Sequence, residues 1–186
     1  MPAPLPENWV DDVLTFWFDE LEPADWFTKS DATDTRIRTR FLDLYRQLAA
    51  QPVSALTTSR REALAAVIVL DQFPRNLFRG DAQSFATDPQ ALAITKAAIE
   101  AGFTQGLSVD ESVFLYLPFE HSESLEDQDR AVDVISALGN DNYTQYAIAH
   151  RDVIRKFGRF PHRNVILGRQ STAEEQAYLA EPGSGF

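Results

Sequence analysis

Two stretches of this chain have no polar face. ALAAVIVL at 63–70 and VFLYLPF at 113–119 are apolar throughout. Each follows a Ser-x-x-Glu pattern, Ser59 with Glu62 and Ser108 with Glu111, in which a helix cap and the third helical residue satisfy each other's free N–H groups. A helix that is apolar all round has to lie inside a fold, with other elements covering every side. The chain must therefore wrap two central helices.

The remaining sequence supplies the wrapping. No segment alternates with period two over strand length, whereas helical spacing and caps recur, which reads as all-α. Helices are predicted over about 7–18, 31–49, 59–73, 88–101, 108–119, 125–138, 142–157 and 172–180, with a short turn at Trp26 and Phe27. Pro74 ends or kinks the third of these, and Pro118 kinks the fifth. Asp88 caps the fourth, with Pro89 at its first position. Gly102, Gly139 and Gly158 supply stops. Trp9, Phe16, Trp17, Trp26 and Phe27 are expected in the core or capping it. Tyr143, Tyr146, Ala147, His150, Ile154 and Phe157 form the predicted inward stripe of 142–157. After the first helix the elements pair into three antiparallel hairpins, predicting one domain of stacked helical hairpins over residues 1–186. The periods are unequal and do not match the roughly 34-residue tetratricopeptide consensus.

Composition excludes several function classes. The chain has no cysteine, which rules out a thiol nucleophile, a disulfide framework and a Cys-type zinc site. Its net charge is -11, unsuited to a nucleic acid or an anionic membrane as partner. The N-terminal residues lack the pattern of a signal peptide, and no stretch approaches the roughly 18 apolar residues of a membrane span, so the expected location is cytoplasmic.

Against that acidic background stands one basic island. Residues 150–169, HRDVIRKFGRFPHRNVILGR, hold six of the 17 Lys and Arg residues and two of the three histidines. The island also echoes an earlier motif: FPRNLFRG at 73–80 and FPHRNVILGR at 160–169 share Phe-Pro, then Arg-Asn, then two apolar residues. If the hairpins stack in one direction, their second helices run parallel and end on one rim. That rim would gather Asp71, Gln72, Arg75, Asn76 and Arg79 from the first, Glu120, His121 and Glu123 from the second, and His150, Arg151, Arg155, His162, Arg163 and Asn164 from the third. Glu120 follows seven apolar residues, so it should be buried and need a His or Arg neighbour from another segment. Glu120 or Glu123 is expected within salt-bridge reach of Arg75, Arg151 or Arg163.

These residue types fit an oxyanion. Arg75, Arg151 and Arg163 offer planar paired donors, and Asn76 and Asn164 add neutral ones, with Arg79, Glu123 and His150 completing the ligand-binding set. His121 or His162 could act as general acid or base, with Glu120 orienting the imidazole. Ser122 lacks the GxSxG setting of an activated nucleophile. Neither Glu-x-x-His nor His-Glu-x-x-His occurs, so no metal and no cofactor are expected. The preferred partner is a small anionic molecule. The alternative is an interaction module whose groove takes an acidic peptide, the polar cluster then being an internal lock. Arg and His near helix C-termini are favourable for structural reasons alone, by roughly 0.3 to 1 kcal/mol each.

VLTFWF at 13–18, LDQFPRNLFRG at 70–80, LYLPFEHSE at 115–123, HRDVIRKFGRFPHRN at 150–164 and the closing YLAEPGSGF together resemble the bacterial family known as domain of unknown function 924. The resemblance implies an all-helical, tetratricopeptide-like fold and brings no biochemical activity with it.

Overall fold

The structure, a computed structural model, describes residues 4–185. Helix α1 (Trp9–Thr15) runs into a π-helical turn, Phe16–Glu20, followed by the short α2 (Pro23–Trp26) and the long α3 (Asp31–Ala49). Helix α4 (Arg60–Val67) passes through a second π-helical turn, Ile68–Gln72, into α5 (Phe73–Leu77). Then come α6 (Asp88–Glu100), α7 (Val109–Glu120), α8 (Leu125–Ser136), α9 (Asp141–Phe157) and α10 (Ala173–Leu179). The fold is all-helical, with no strand among the described residues.

The two apolar stretches lie at the centre, as their patterning requires. Residues 63–74 and 112–120 are buried without a break. α4 packs on α1, α6 and α7, and α7 packs on α4, α6, α8 and α9. Ile37, Phe41, Leu44, Tyr45 and Leu48 turn the inner stripe of α3 into the same core. Trp9, Phe16 and Trp17 are buried with them, while Phe27 lies on the surface, 62% exposed, stacked on Phe114 at 6.0 Å. Each fully buried large aliphatic side chain contributes roughly 1.5–3 kcal/mol, so this double centre dominates stability.

Three local expectations need correction. Ser59 caps α4 by accepting from the Glu62 N–H, but the Glu62 carboxylate bonds the Thr58 N–H instead of returning to Ser59. Tyr146 is 55% exposed: the inward stripe of α9 is narrower and holds Ala147, His150, Val153 and Ile154. Asp88 is no cap, since Thr87 occupies that position and Asp88 is the first helical residue.

That last shift follows from a gap at Pro74, which does not end the helical path. A proline has no N–H to offer the carbonyl four residues earlier, here Leu70. The Thr87 hydroxyl fills the gap, donating to Leu70 O at 2.5 Å. The start of α6 is thereby fixed against the end of the π-helical turn, which aims the next side chain, Asp88, back at α5.

Candidate functional site

The second helices do end on one rim. The π-helical turn after α4 places Asp71 completely inside the protein; such turns recur at functional sites because the extra residue re-aims a side chain. Asp71 Oδ1 lies 2.8 Å from Nδ1 of His121, the C-cap of α7, and its Oδ2 accepts from Gln72 Nε2 at 2.6 Å. On α9, Nδ1 of His150 lies 2.8 Å from Tyr146 O and 2.9 Å from Glu120 Oε1, and the His121 and His150 rings are 6.3 Å apart. Glu120 thus has the histidine neighbour from another segment that its burial demanded.

Electrostatics assign the protons of the first pair. Burial raises the Asp71 carboxyl, but His121, Arg75 and Gln72 together outweigh it and hold Asp71 well below the usual carboxylate range. Burial, and then the Arg75 charge, push His121 down, so its ring is neutral near pH 7. An ionised Asp71 facing Nδ1 makes that nitrogen the N–H donor and leaves Nε2 as the basic atom.

The two Phe-Pro motifs supply the cationic half. Arg75 binds Asp88 through both nitrogens, at 2.9 and 3.1 Å, bonds Asp71 O, and lies 3.7 Å from Asp71 Oδ1. Arg163, its counterpart in the second motif, comes within 3.6 Å of Asp88 Oδ2 and donates to His121 O at 3.1 Å. Its guanidinium lies between the Phe85 and Phe160 rings, 4.5 and 4.6 Å from their centroids. Only 7% of Arg163 is exposed, and its Nε–H has no acceptor. Burial and then Arg75 push Arg163 down to about 10. The neighbouring His162 is pushed down to about 4 by burial, then by Arg163, His150 and Arg75.

The asparagines of the motifs turn elsewhere. Asn76 Nδ2 donates to Asp34 Oδ1 at 2.8 Å beside a bidentate pair from Arg79, tying α5 to the first turn of α3. Asn164 Nδ2 donates to Ser171 Oγ at 3.0 Å and to Glu175 Oε2 at 3.3 Å, tying the second motif to the first turn of α10. Glu123 takes a bidentate pair from Arg169 at 2.8 and 3.0 Å and the Phe160 N–H at 2.8 Å. Arg151 faces Asp129 and Asp152, 3.9 and 3.4 Å away. The expected ion pairs from Glu120 or Glu123 to Arg75, Arg151 or Arg163 are therefore replaced. Asp71 and Asp88 serve the arginines, because the π-helical turn and the Thr87 bond place these acids nearer.

Of the sequence-derived residues, Arg75, Glu120, His121, His150, His162 and Arg163 come together, while Asn76, Arg79, Glu123, Arg151 and Asn164 serve neighbouring contacts. Asp88 and Phe85 were missed. A first-turn acid beside a proline reads as a cap, and Phe85 lies in a 3-10 turn, Ala82–Phe85, with no pattern of its own. Ser122 Oγ donates to Asp127 at 2.7 Å and closes a turn. Among the described residues no group of three or more His, Asp or Glu side chains is placed to hold a metal, and no helix is long and apolar enough to cross a membrane. An open depression of about 700 Å³ lies elsewhere, between α6 and α8, lined by Lys96, Phe119, Asp127, Arg130 and Asp133 among others.

The model of the family described as "Bacterial protein of unknown function (DUF924)" matches residues 13–183. The chain belongs to the DUF924 family. A solved structure of a protein of unknown function from Agrobacterium tumefaciens is similar to this DUF924 chain at 42% identity, over 92% of this chain and 96% of that one, with a TM-score of 0.87. No curated protein matches the chain. The DUF924 match covers both Phe-Pro motifs and every residue of the rim cluster.

Proposed function

We propose that the rim binds a small anion, a phosphate or carboxylate, against Arg163, with His121 and His162 as the acid–base groups beside it. The observation that carries this reading is the Arg163 Nε–H, a donor on a buried cation with no acceptor. Leaving such a donor unsatisfied costs about 1–3 kcal/mol, more on a charged group, and folded proteins keep few of them. An anion oxygen would supply that acceptor in a charge-assisted bond. His121, neutral and presenting Nε2 as its basic atom, would act as a base, with Asp71 orienting its ring in the role the sequence suggested for Glu120. The burial of Arg75 and Arg163 favours a small ligand over an acidic peptide, which would need solvent-facing arginines.

Thermal unfolding tests the reading. Phosphate or malonate should raise the melting temperature beyond chloride at equal ionic strength, since a ligand selective for the folded state stabilises it by mass action. At about one hundred times the dissociation constant the gain is about 2.7 kcal/mol, or several degrees at roughly 2–4 °C per kcal/mol. Arg163→Ala should lose that increment. Equal melting in all three salts, with Arg163→Ala strongly destabilised, would instead make the cluster a structural lock.

A further inference from the structure

The two Phe-Pro motifs differ at one position that bears on the kind of anion. Two residues before its Phe-Pro, the first motif carries Asp71, whose carboxylate lies 3.7 Å from Arg75. The second motif has Gly158 at that place, the left-handed C-cap of α9 with φ +71, and no acid follows as far as Arg169. Among the described residues Arg75 pairs with two carboxylates, Asp71 and Asp88, and Arg163 with one, Asp88.

The edge of Arg163 also restricts what it can satisfy. Its Nη2 donates to His121 O and its Nη1 faces Asp88 Oδ2, which leaves the Nε–H as the free donor. Sites that hold phosphate supply several N–H groups at once, from a helix N-terminus or a backbone nest. The turn that presents Arg163, Pro161–Arg163, is three residues long and begins at a proline, which has no N–H to give. Phe85 and Phe160 cover the guanidinium faces, so a ligand meets Arg163 along its edge, where a flat carboxylate is the geometric match. Desolvation rises steeply with charge, so a monoanion reaches this buried edge at lower cost than a dianion.

Resting on the anion-site reading above, we infer that the site is selective for a small monocarboxylate, which serves Arg163 as Asp71 serves Arg75. Phosphate and sulfate bind the same edge more weakly.

Four sodium salts at pH 7.5 and constant ionic strength separate shape from charge: acetate, methanesulfonate, sulfate and phosphate. Acetate and methanesulfonate both carry a single charge, but only acetate is flat. In the full chain labelled with 15N, the Arg163 Nε–H resonance reports occupancy of the edge. Acetate should be the tightest of the four by about tenfold, because the further oxygens of the others find no donor there. Arg163→Lys keeps the charge and removes the planar edge. Titrated calorimetrically beside the parent, it should lose the preference, with acetate and sulfate within about twofold of each other. Methanesulfonate, sulfate or phosphate binding the parent as tightly as acetate would overturn the carboxylate selectivity and leave the anion site standing. A preference for acetate that persists in Arg163→Lys would overturn its assignment to the Nε–H edge. No response of the resonance to any of the four salts would overturn the anion site and the selectivity with it.

Discussion

Arg75 and Arg163, corresponding residues of two Phe-Pro motifs far apart in the chain, meet on one carboxylate: Arg75 spans both oxygens of Asp88, and Arg163 approaches the second at 3.6 Å. The shared partner binds the end of α5, the start of α6 and the segment after α9 into one rim. It also leaves the later arginine under-satisfied, since Asp88 cannot serve both cations equally.

Asp88→Asn should therefore be costly. Removing the shared charge leaves two guanidinium groups facing each other in a mostly buried setting, and breaking buried pairs of this kind costs about 3–5 kcal/mol. Arg75 retains some exposure, so the expected loss is at the low end, about 3 kcal/mol by urea denaturation. Glu20→Gln, which removes two exposed pairs with Arg36 and Arg40, should cost under about 1 kcal/mol. Phosphate should recover part of the Asp88→Asn loss and none of the Glu20→Gln loss.

Glu123→Gln separates the lock from the site. Glu123 joins the loop after α7 to Arg169 and the Phe160 N–H, but it is not placed against the Arg163 Nε–H. The variant should lose about 1.5–3 kcal/mol of stability, the range for charge-assisted bonds, and keep the same anion-dependent rise in melting temperature. Loss of that rise would return Glu123 to the ligand-binding set.

The sequence made the central helices legible because an apolar-all-round helix has one physical solution, and it made the rim legible because parallel second helices must end together. It under-specified which acid meets which arginine. Residue spacing on an ideal helix does not foresee a π-helical turn, which moves Asp71 inward, or a threonine hydroxyl that fills the gap at Pro74 and re-aims Asp88. Asn76 and Asn164 look like ligand donors in a one-dimensional motif. Their partners, Asp34 and Glu175, lie on helices whose approach only the tertiary fold sets.

Stability should fall on mild acidification. His162 titrates near 4 in the folded protein against about 6.5 unfolded, so between those values the unfolded chain binds the extra proton and gains. The depressed ring costs nothing above about pH 6.5, and stability is lost progressively as pH falls toward 4. His121, shifted in the same direction, adds to the slope. Each histidine contributes at most about 1.4 kcal/mol per pH unit, and His162→Gln should flatten the dependence measured by urea denaturation from pH 7 to 5. An unchanged slope would mean that His162 is not held neutral by its surroundings.

The central claim is that the Arg163 Nε–H is a binding donor, and its own NMR signal tests that most directly. In a protein labelled with 15N, the Arg163 Nε–H resonance, assigned by its loss in Arg163→Lys, should shift and exchange more slowly with solvent as phosphate is added, with saturation at one site and no response to chloride. A resonance that stays in place, while phosphate acts no differently from chloride on every other arginine signal, would contradict the account and leave the cluster as an internal lock of the fold.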